Sequence, residues 1–184
     1  MVYLFLANGF EEIEAIAPVD ILRRAGVEVK TVAVEDSSDC LIDGAHGITV
    51  KADVLLSDII YDDIDAVILP GGMPGTKNLD SNADVRQALK YCADNDKLIC
   101  AICAAPSVLG HLGLLMGKKA TCFPGFEREL HCSVFTGSAV TVDGNIITAD
   151  GPGSAVAFGH AIAAKFVGEA AASRITGSMQ CRVL

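Results

Sequence analysis

The feature that most constrains this chain is an alternation of short apolar runs with stretches of helical periodicity. The apolar runs are 2–7 (VYLFLA), 27–34 (VEVKTVAV), the AVIL segment within 65–72 (DAVILPGG) and 98–103 (LICAIC). The helical stretch EEIEAIAPVDILRRAG lies between the first two runs, and ADVRQALKYCADN precedes the fourth. A strand–helix–strand order builds parallel strands with helices over both faces, so the sequence predicts an α/β fold with a doubly wound, mostly parallel sheet.

Three further elements are predicted in the C-terminal half. A helical pattern runs from about Ala104 to Met116. Within AVTVDGNIITAD, the DGN tripeptide has the composition of a hairpin turn. A last helix follows Gly-Pro-Gly, with Ser154 as its expected N-cap residue.

The composition narrows the class of protein. With 184 residues and 51% hydrophobic content, the chain has the material for one domain covering 1–184. A net charge of −9 argues against nucleic acid as a partner. The apolar stretch Leu98–Gly117 is interrupted by Pro106 and by glycines, which argues against a membrane span. Without a recognisable leader the expected location is cytoplasmic, where the seven cysteines would be reduced thiols.

Two cysteines, Cys100 and Cys103, stand at the end of the fourth apolar run. On a strand they would point to opposite faces, which argues against a disulfide between them, and a single CxxC is a weak zinc signal. Cys100 is expected in the core. Cys103 lies where a strand turns into a helix, the position of a nucleophile elbow, and helix N–H dipoles would lower its pKa. A buried, inert thiol is the competing interpretation.

Two other strand ends carry groups that could assist such a thiol. In LPGGMPG, adjacent glycines allow backbone N–H groups to approach an oxyanion, with Gly72 opposite Ala104, although a simple Gly-Pro turn is the alternative. In NGFEEIEAIAPVD, the simplest interpretation of the acidic cluster Glu11, Glu12 and Glu14 is a solvated helix start. Glu14 lies in an apolar stretch, where a buried carboxyl would tend to be neutral.

The segments PVDILRRAG, VILPGG, AIC followed by AAPSVLG, and DGPG occur in the order that resembles the DJ-one/ThiJ/PfpI superfamily, in particular its small DJ-one/ThiJ branch. The resemblance implies a flavodoxin-like fold, a class I glutamine amidotransferase-like sandwich, and a homodimer. It also implies that Cys103 is a reactive cysteine at a strained elbow and that protonated Glu14 hydrogen-bonds its sulfur. The backbone amides of Gly72 and Ala104 would complete the site.

Some positions depart from relatives in the same superfamily. Protease-like relatives have a histidine directly after the nucleophile, where this chain has Ala104, so peptide hydrolysis is disfavoured. Phe123 occupies a position where some relatives carry a histidine near the site. His46 falls near an arginine of relatives at the site entrance, where it would contact substrate or remain a surface histidine. No histidine has a glutamate two residues later, which excludes a glutamine amidotransferase.

The resemblance implies a cysteine-dependent enzyme of the glyoxalase or deglycase type. Cys103 would add to a small 2-oxoaldehyde such as methylglyoxal, and Glu14 would move protons, with no cofactor and no metal. The expected partners are a small aldehyde or glycated adducts and a second copy of the chain, contacted through apolar positions around Ile13, Ile16 and Val19. The alternative is an oxidative-stress sensor or redox-regulated chaperone that acts through oxidation of Cys103.

Overall fold

The computed structural model describes residues 1–35 and 39–181, and a seven-stranded sheet lies at its centre. The strands in chain order are β1 (Val2–Leu6), β2 (Val29–Ala33), β3 (Leu41–Asp43), β4 (Thr49–Lys51), β5 (Val54–Leu55), β6 (Ala66–Leu69), β7 (Leu98–Ile102), β8 (Lys119–Ala120), β9 (Val134–Phe135), β10 (Val140–Asp143) and β11 (Ile146–Ala149). The central sheet has the order β10-β11-β7-β6-β1-β2-β5, and β3 with β4 and β8 with β9 form two small sheets.

Helices cover both faces of this sheet. They are α1 (Glu12–Arg24), α2 (Gly75–Ser81), α3 (Ala83–Asp94), α4 (Pro106–His111), α5 (Ala155–Val167) and α6 (Glu169–Ser178), with short 3₁₀ turns at Leu56–Asp58, Tyr61–Asp63, Glu127–Glu129 and Pro152–Ser154. Buried residues of α1, α5 and α6 pack in one apolar core, and those of α2, α3 and α4 pack in the other. The predicted doubly wound α/β sandwich is therefore confirmed.

The strand β1 shows why the apolar runs carry no polar alternation. Val2, Leu4 and Leu6 pack in the core under α1 and α5, whereas Tyr3 and Phe5 pack in the opposite core. A strand with helices on both faces buries every side chain, and β1 is buried throughout. The same applies to β7, where Cys100 is fully buried as predicted.

Every strand pair of the central sheet is parallel except β10 with β11. This pair is the hairpin predicted from DGN, and Gly144 supplies the positive φ of +62° that its turn needs. Among the described residues, no helix has the length and apolar character required to cross a bilayer.

Three expectations about helices are wrong in detail. The helix predicted from about Ala104 to Met116 is only α4, because a turn precedes Pro106 and Gly113, with a φ of +73°, follows its end. Ser154 stands at the start of α5 but gives no side-chain cap, since its hydroxyl bonds Asp150 instead. On α1, Ile13 and Ile16 are exposed, but Val19 is buried in the core.

Candidate active site

Three loops meet at the carboxyl ends of neighbouring parallel strands. The loop after β1 leads into α1, the loop 70–74 follows β6, and the turn 103–105 follows β7. Because β1, β6 and β7 lie side by side, their carboxyl ends form one edge of the sheet. This edge brings together three residues singled out from the sequence, Glu14, Gly72 and Cys103.

The backbone of Cys103 has an uncommon conformation. Its φ is +65°, in the left-handed region that costs a residue with a side chain about 1–2 kcal/mol. Two hydrogen bonds hold the residue there: its N–H donates to the Ala149 carbonyl at 2.9 Å, and its carbonyl accepts from the Phe123 N–H at 2.8 Å. The elbow therefore presents the thiol at a fixed position, and the side chain is partly exposed.

Glu14 is fully buried, as its apolar neighbours in the sequence indicate. Its Oε2 accepts a 2.8 Å hydrogen bond from the Gly71 N–H, whereas Oε1 has no partner at normal hydrogen-bond geometry among the described residues. Burial raises the pKa of this carboxyl to about 7, against the opposing effects of the Gly71 amide and the Cys103 thiol. At neutral pH the group can therefore both give and accept a proton.

The thiol pKa differs from the value expected from the sequence. Burial, followed by the charge and hydrogen bonding of Glu14, raises the pKa of Cys103 to about 12. The N–H groups of Ala104 and Gly72 face the sulfur and act in the opposite direction, but they do not outweigh burial. The predicted lowering is wrong because partial burial of Cys103 and the neighbouring Glu14 outweigh the two N–H groups, and because α4 begins only at Pro106.

Glu14 and Cys103 consequently titrate as a coupled pair. The first proton lost by the pair leaves one negative charge for two adjacent groups. The Gly71 amide stabilises that charge on the carboxylate, and the amides of Gly72 and Ala104 stabilise it on sulfur. Because each negative charge has a backbone N–H partner, a proton can move between the carboxyl and the thiol without leaving either charge unpaired.

Gly71 is a site residue that the sequence analysis missed. A Cβ on Gly71 would lie 2.7 Å from both the Cys103 Cβ and the Glu14 Oε2, so any side chain there would separate the pair. At Gly72, a φ of +89° and close backbone contacts with Gly9, Phe10 and Glu11 also require glycine. The signal in the sequence was the glycine pair itself, but only the three-dimensional structure shows that Gly71 is the glycine next to both Glu14 and Cys103.

Glu12 fixes the loop between β3 and β4 at the rim of the site. Its Oε1 accepts the His46 N–H at 2.7 Å, and its Oε2 lies 3.0 Å from Nδ1 of the same histidine. Burial alone would raise the pKa of Glu12, but hydrogen bonds from His46 and Ile48 hold it below its usual value. Glu12 is therefore buried and bonded, and the expectation that it is solvated is wrong.

His46 itself is exposed, and its hydrogen bond to Glu12 raises its pKa. Its Nδ1 lies 3.5 Å from the Glu11 Oε2. Donor atoms of Glu11, Glu12 and His46 lie within 4.8 Å of one another, which is the spacing a metal ion requires. Because Glu12 already uses both oxygens to hold the loop, its evident role is to anchor His46 beside the site.

The backbone of Phe123 contacts the backbone of Cys103. Its N–H bonds the Cys103 carbonyl, and its ring, 43% exposed, lies over Gly151, where a Cβ would come within 3.1 Å. The ring contributes an apolar surface near the elbow and offers no proton donor or acceptor. With phenylalanine in place of the histidine that some relatives carry, position 123 therefore supplies no acid or base.

Comparisons with known proteins identify the family to which the chain belongs. The profile of the DJ-1/PfpI family matches residues 1–165. Protein DJ-1 homolog B of Arabidopsis thaliana is 37% identical over 179 residues, covering 96% of this chain and 40% of that protein. The chain spans less than half the length of the two Arabidopsis relatives it matches.

A protein from Pyrococcus abyssi that is named a deglycase is 30% identical over 159 residues, covering 85% of this chain and 93% of that protein. The solved structure of oxidised Toxoplasma gondii DJ-1 is 35% identical, covers 99% of this chain and 98% of that one, and superposes with a TM-score of 0.93. By sequence and by fold, this chain belongs to the DJ-1/PfpI family.

Proposed function

We propose that this protein is a cysteine-dependent, cofactor-independent enzyme that converts small 2-oxoaldehydes such as methylglyoxal to 2-hydroxy acids. The observation that carries the proposal is the pairing of the Cys103 thiol with a fully buried carboxyl, Glu14, whose pKa of about 7 suits proton transfer in both directions. The naming of the Pyrococcus relative as a deglycase supports the related chemistry on glycated adducts.

In the first step the Cys103 sulfur attacks the aldehyde carbon. The Glu14 carboxylate receives the thiol proton, and the aldehyde oxygen carries the developing negative charge. The N–H groups of Gly72 and Ala104, which already face the sulfur, are placed to stabilise that oxygen. Return of the proton to the oxygen completes a hemithioacetal, with one new carbon–sulfur bond.

In the second step Glu14 moves a proton between two carbons. It removes the proton from the carbon that bears sulfur and returns it to the neighbouring carbon through an enediol. The hemithioacetal becomes the thioester of a 2-hydroxy acid, and no external oxidant is needed because one carbon is oxidised while its neighbour is reduced. Water then cleaves the carbon–sulfur bond, which releases lactate from methylglyoxal and restores the thiol.

The decisive experiment measures methylglyoxal loss and lactate formation by the wild type and by Cys103→Ser. Wild type should produce one lactate for each methylglyoxal consumed, and Cys103→Ser should produce none above the uncatalysed rate. Cys132→Ser is the matched control, since Cys132 is also half-buried and should be dispensable. Equal rates for wild type and Cys103→Ser would refute the proposal.

A second candidate function is an oxidative-stress sensor or redox-regulated chaperone. It is favoured by the partial exposure of Cys103 and by the two N–H groups that face its sulfur, which could donate hydrogen bonds to sulfinate oxygens. In that case the wild type would show no turnover of 2-oxoaldehydes, while peroxide would still modify Cys103.

A further inference from the structure

A cavity of about 430 Å³ lies between α2, α4 and the segment 126–129. Neither Glu14 nor Cys103 lines it. Its volume falls in the range of small-molecule pockets, and its walls combine a few polar groups with apolar ones, as such pockets do. We call it the α2–α4 cavity.

Thr76 gives this cavity a buried polar group without a partner. The residue is 3% exposed, lines the cavity, and its Oγ1 makes no hydrogen bond with any described residue. Burying a hydroxyl without a partner is unfavourable, since the group loses its bonds to water. The oxygen itself is shielded in the observed rotamer, so rotation about the Cα–Cβ bond would be needed to turn the hydroxyl toward a ligand oxygen in the cavity.

Lys77 gives the cavity a positive charge that is not neutralised. Across residues 1–35 and 39–181 it forms no ion pair, although acidic groups stand nearby. Of those acidic groups, Asp80 bonds Arg86 at 2.7 Å and His111 at 2.8 Å, whereas Glu129 lies 3.4 Å from the other His111 nitrogen, a partner that is charged only when the imidazole is protonated. The ammonium group is thus the charge left for a ligand.

Met73 and Phe126 complete the lining with apolar surface. We propose that the α2–α4 cavity binds a small organic carboxylate with an apolar body, its carboxylate on Lys77 and Thr76 and its apolar part between Met73 and Phe126. The carboxylate accepts the hydrogen bond from the Thr76 hydroxyl and neutralises the ammonium group of Lys77. The cavity is larger than a three-carbon acid requires, so an aryl or branched acid fits better than lactate.

The cavity adjoins the backbone that faces the reactive thiol. The Thr76 N–H donates to the Gly72 carbonyl at 2.9 Å, and the Ser107 hydroxyl donates to the Ala104 carbonyl at 2.7 Å. Gly72 and Ala104 are the two residues whose N–H groups point at Cys103. Two walls of the cavity are therefore one hydrogen bond away from the groups that face the sulfur.

The probe for this site is phenylacetate, titrated into the full chain while the amide signals of Thr76 and Ser107 are followed by NMR. Phenylacetate should bind with a Kd of about 1 mM, as expected for so small a ligand, and benzylamine, of similar size and opposite charge, should bind at least about tenfold more weakly. Equal or tighter binding of benzylamine, or shifts confined to other amides, would overturn the proposal.

Two substitutions test the assigned contacts. Lys77→Gln, on an exposed position, should weaken phenylacetate about tenfold. Thr76→Val keeps the shape but removes the hydroxyl, so it should weaken binding about fivefold and raise the Tm of the unliganded protein. If either variant binds phenylacetate with unchanged affinity, the substituted residue does not contact the ligand and the proposal is wrong.

Matched controls separate this site from the thiol. Thr121 is fully buried, also has an unpartnered hydroxyl and lies outside the cavity lining, so Thr121→Val should raise Tm without changing the Kd for phenylacetate. Cys103→Ser should bind phenylacetate as the wild type does. Loss of binding in Cys103→Ser would place the ligand at the active site and overturn the proposal.

Discussion

The amide of Gly71 donates a 2.8 Å hydrogen bond to Glu14 at a point where no side chain could fit between that carboxyl and Cys103. We therefore expect Gly71→Ala to lower turnover of methylglyoxal by about a hundredfold, because a displacement of about 1 Å between reacting groups has an effect of that size. Steady-state assays with lactate as product measure it.

The control for this substitution is Gly177→Ala. A Cβ at Gly177 meets no atom within 4 Å, so activity should be unchanged there. If Gly71→Ala retains wild-type turnover while remaining folded by circular dichroism, the contact between Glu14 and Cys103 does not control the reaction.

Substitutions of Glu14 should separate thiol reactivity from turnover. Glu14→Gln removes the carboxylate charge that raises the thiol pKa, so alkylation of Cys103 should proceed at least as fast as in the wild type. Turnover should nevertheless fall about a thousandfold, since an amide cannot carry a proton. Glu14→Leu should abolish turnover as well, and its alkylation should be slower than that of Glu14→Gln because no polar group remains beside the sulfur.

Alkylation rates against pH, measured beside methylglyoxal turnover, distinguish these cases. Normal turnover by Glu14→Gln would show that Glu14 transfers no proton, and the sensor function would then be the better account of the site.

Burial of Glu14 should make the stability of the protein depend on pH. The folded protein holds this proton up to about pH 7, whereas the usual value is 4.5, so the folded state binds more protons between these values. The stabilisation is complete below the unfolded-state pKa and is lost as pH rises through the folded-state pKa. Relative to Glu14→Gln, the wild type should lose about 3 kcal/mol of unfolding free energy between pH 4.5 and 7.5. Urea unfolding of both proteins across this range measures the difference, and parallel curves would contradict it.

Limited oxidation should modify Cys103 before the other six cysteines. Cys92, Cys100 and Cys122 are buried, whereas Cys103 is half-buried and has backbone N–H groups from two loops facing its sulfur. These groups can donate hydrogen bonds to the oxygens of the oxidised forms, even though burial raises the pKa of the unmodified thiol. Peptide mass spectrometry after substoichiometric peroxide should find sulfinate at Cys103 first. Earlier oxidation of Cys40 or Cys181 would contradict this expectation.

The apolar positions of α1 predict a symmetric dimer. Ile13 and Ile16 are 56% and 41% exposed on one helix, and Ile48, 58% exposed, lies in the loop that Glu12 anchors to the same helix. Light scattering should return about twice the 19.1 kDa mass of the chain. Ile13→Glu should give a monomer, whereas Ile60→Glu, at an isoleucine of similar exposure elsewhere, should not. A monomeric wild type would exclude a partner subunit from the site.

The architecture could be predicted because it depends on local patterns. The apolar runs of β1 and β7, the periodicity of α1 and the DGN turn all specify their elements without knowledge of distant neighbours. The place of Cys103 at a strand end followed from the same patterns, whereas its pairing with Glu14 was implied by the family resemblance.

The predictions about the site that were wrong or missing concern properties that depend on residues distant in the sequence. The thiol pKa depends on burial by several elements, and the role of Gly71 depends on an approach of 2.7 Å that spacing cannot show. The local sequence does not show that Glu12 is buried, because its partner, the loop with His46, lies far along the chain.

The two backbone hydrogen bonds of Cys103 join the reactive residue to the end of β11 and to Phe123. Opening the elbow would therefore break a hydrogen bond to a strand of the central sheet, which the fraying of a free surface loop would not. A small aldehyde that binds here does not have to order the nucleophile first, so little of its weak binding energy is spent on conformational entropy. For the proposed substrate, which has only a few heavy atoms, a preformed nucleophile avoids an ordering cost that its few contacts would otherwise have to offset.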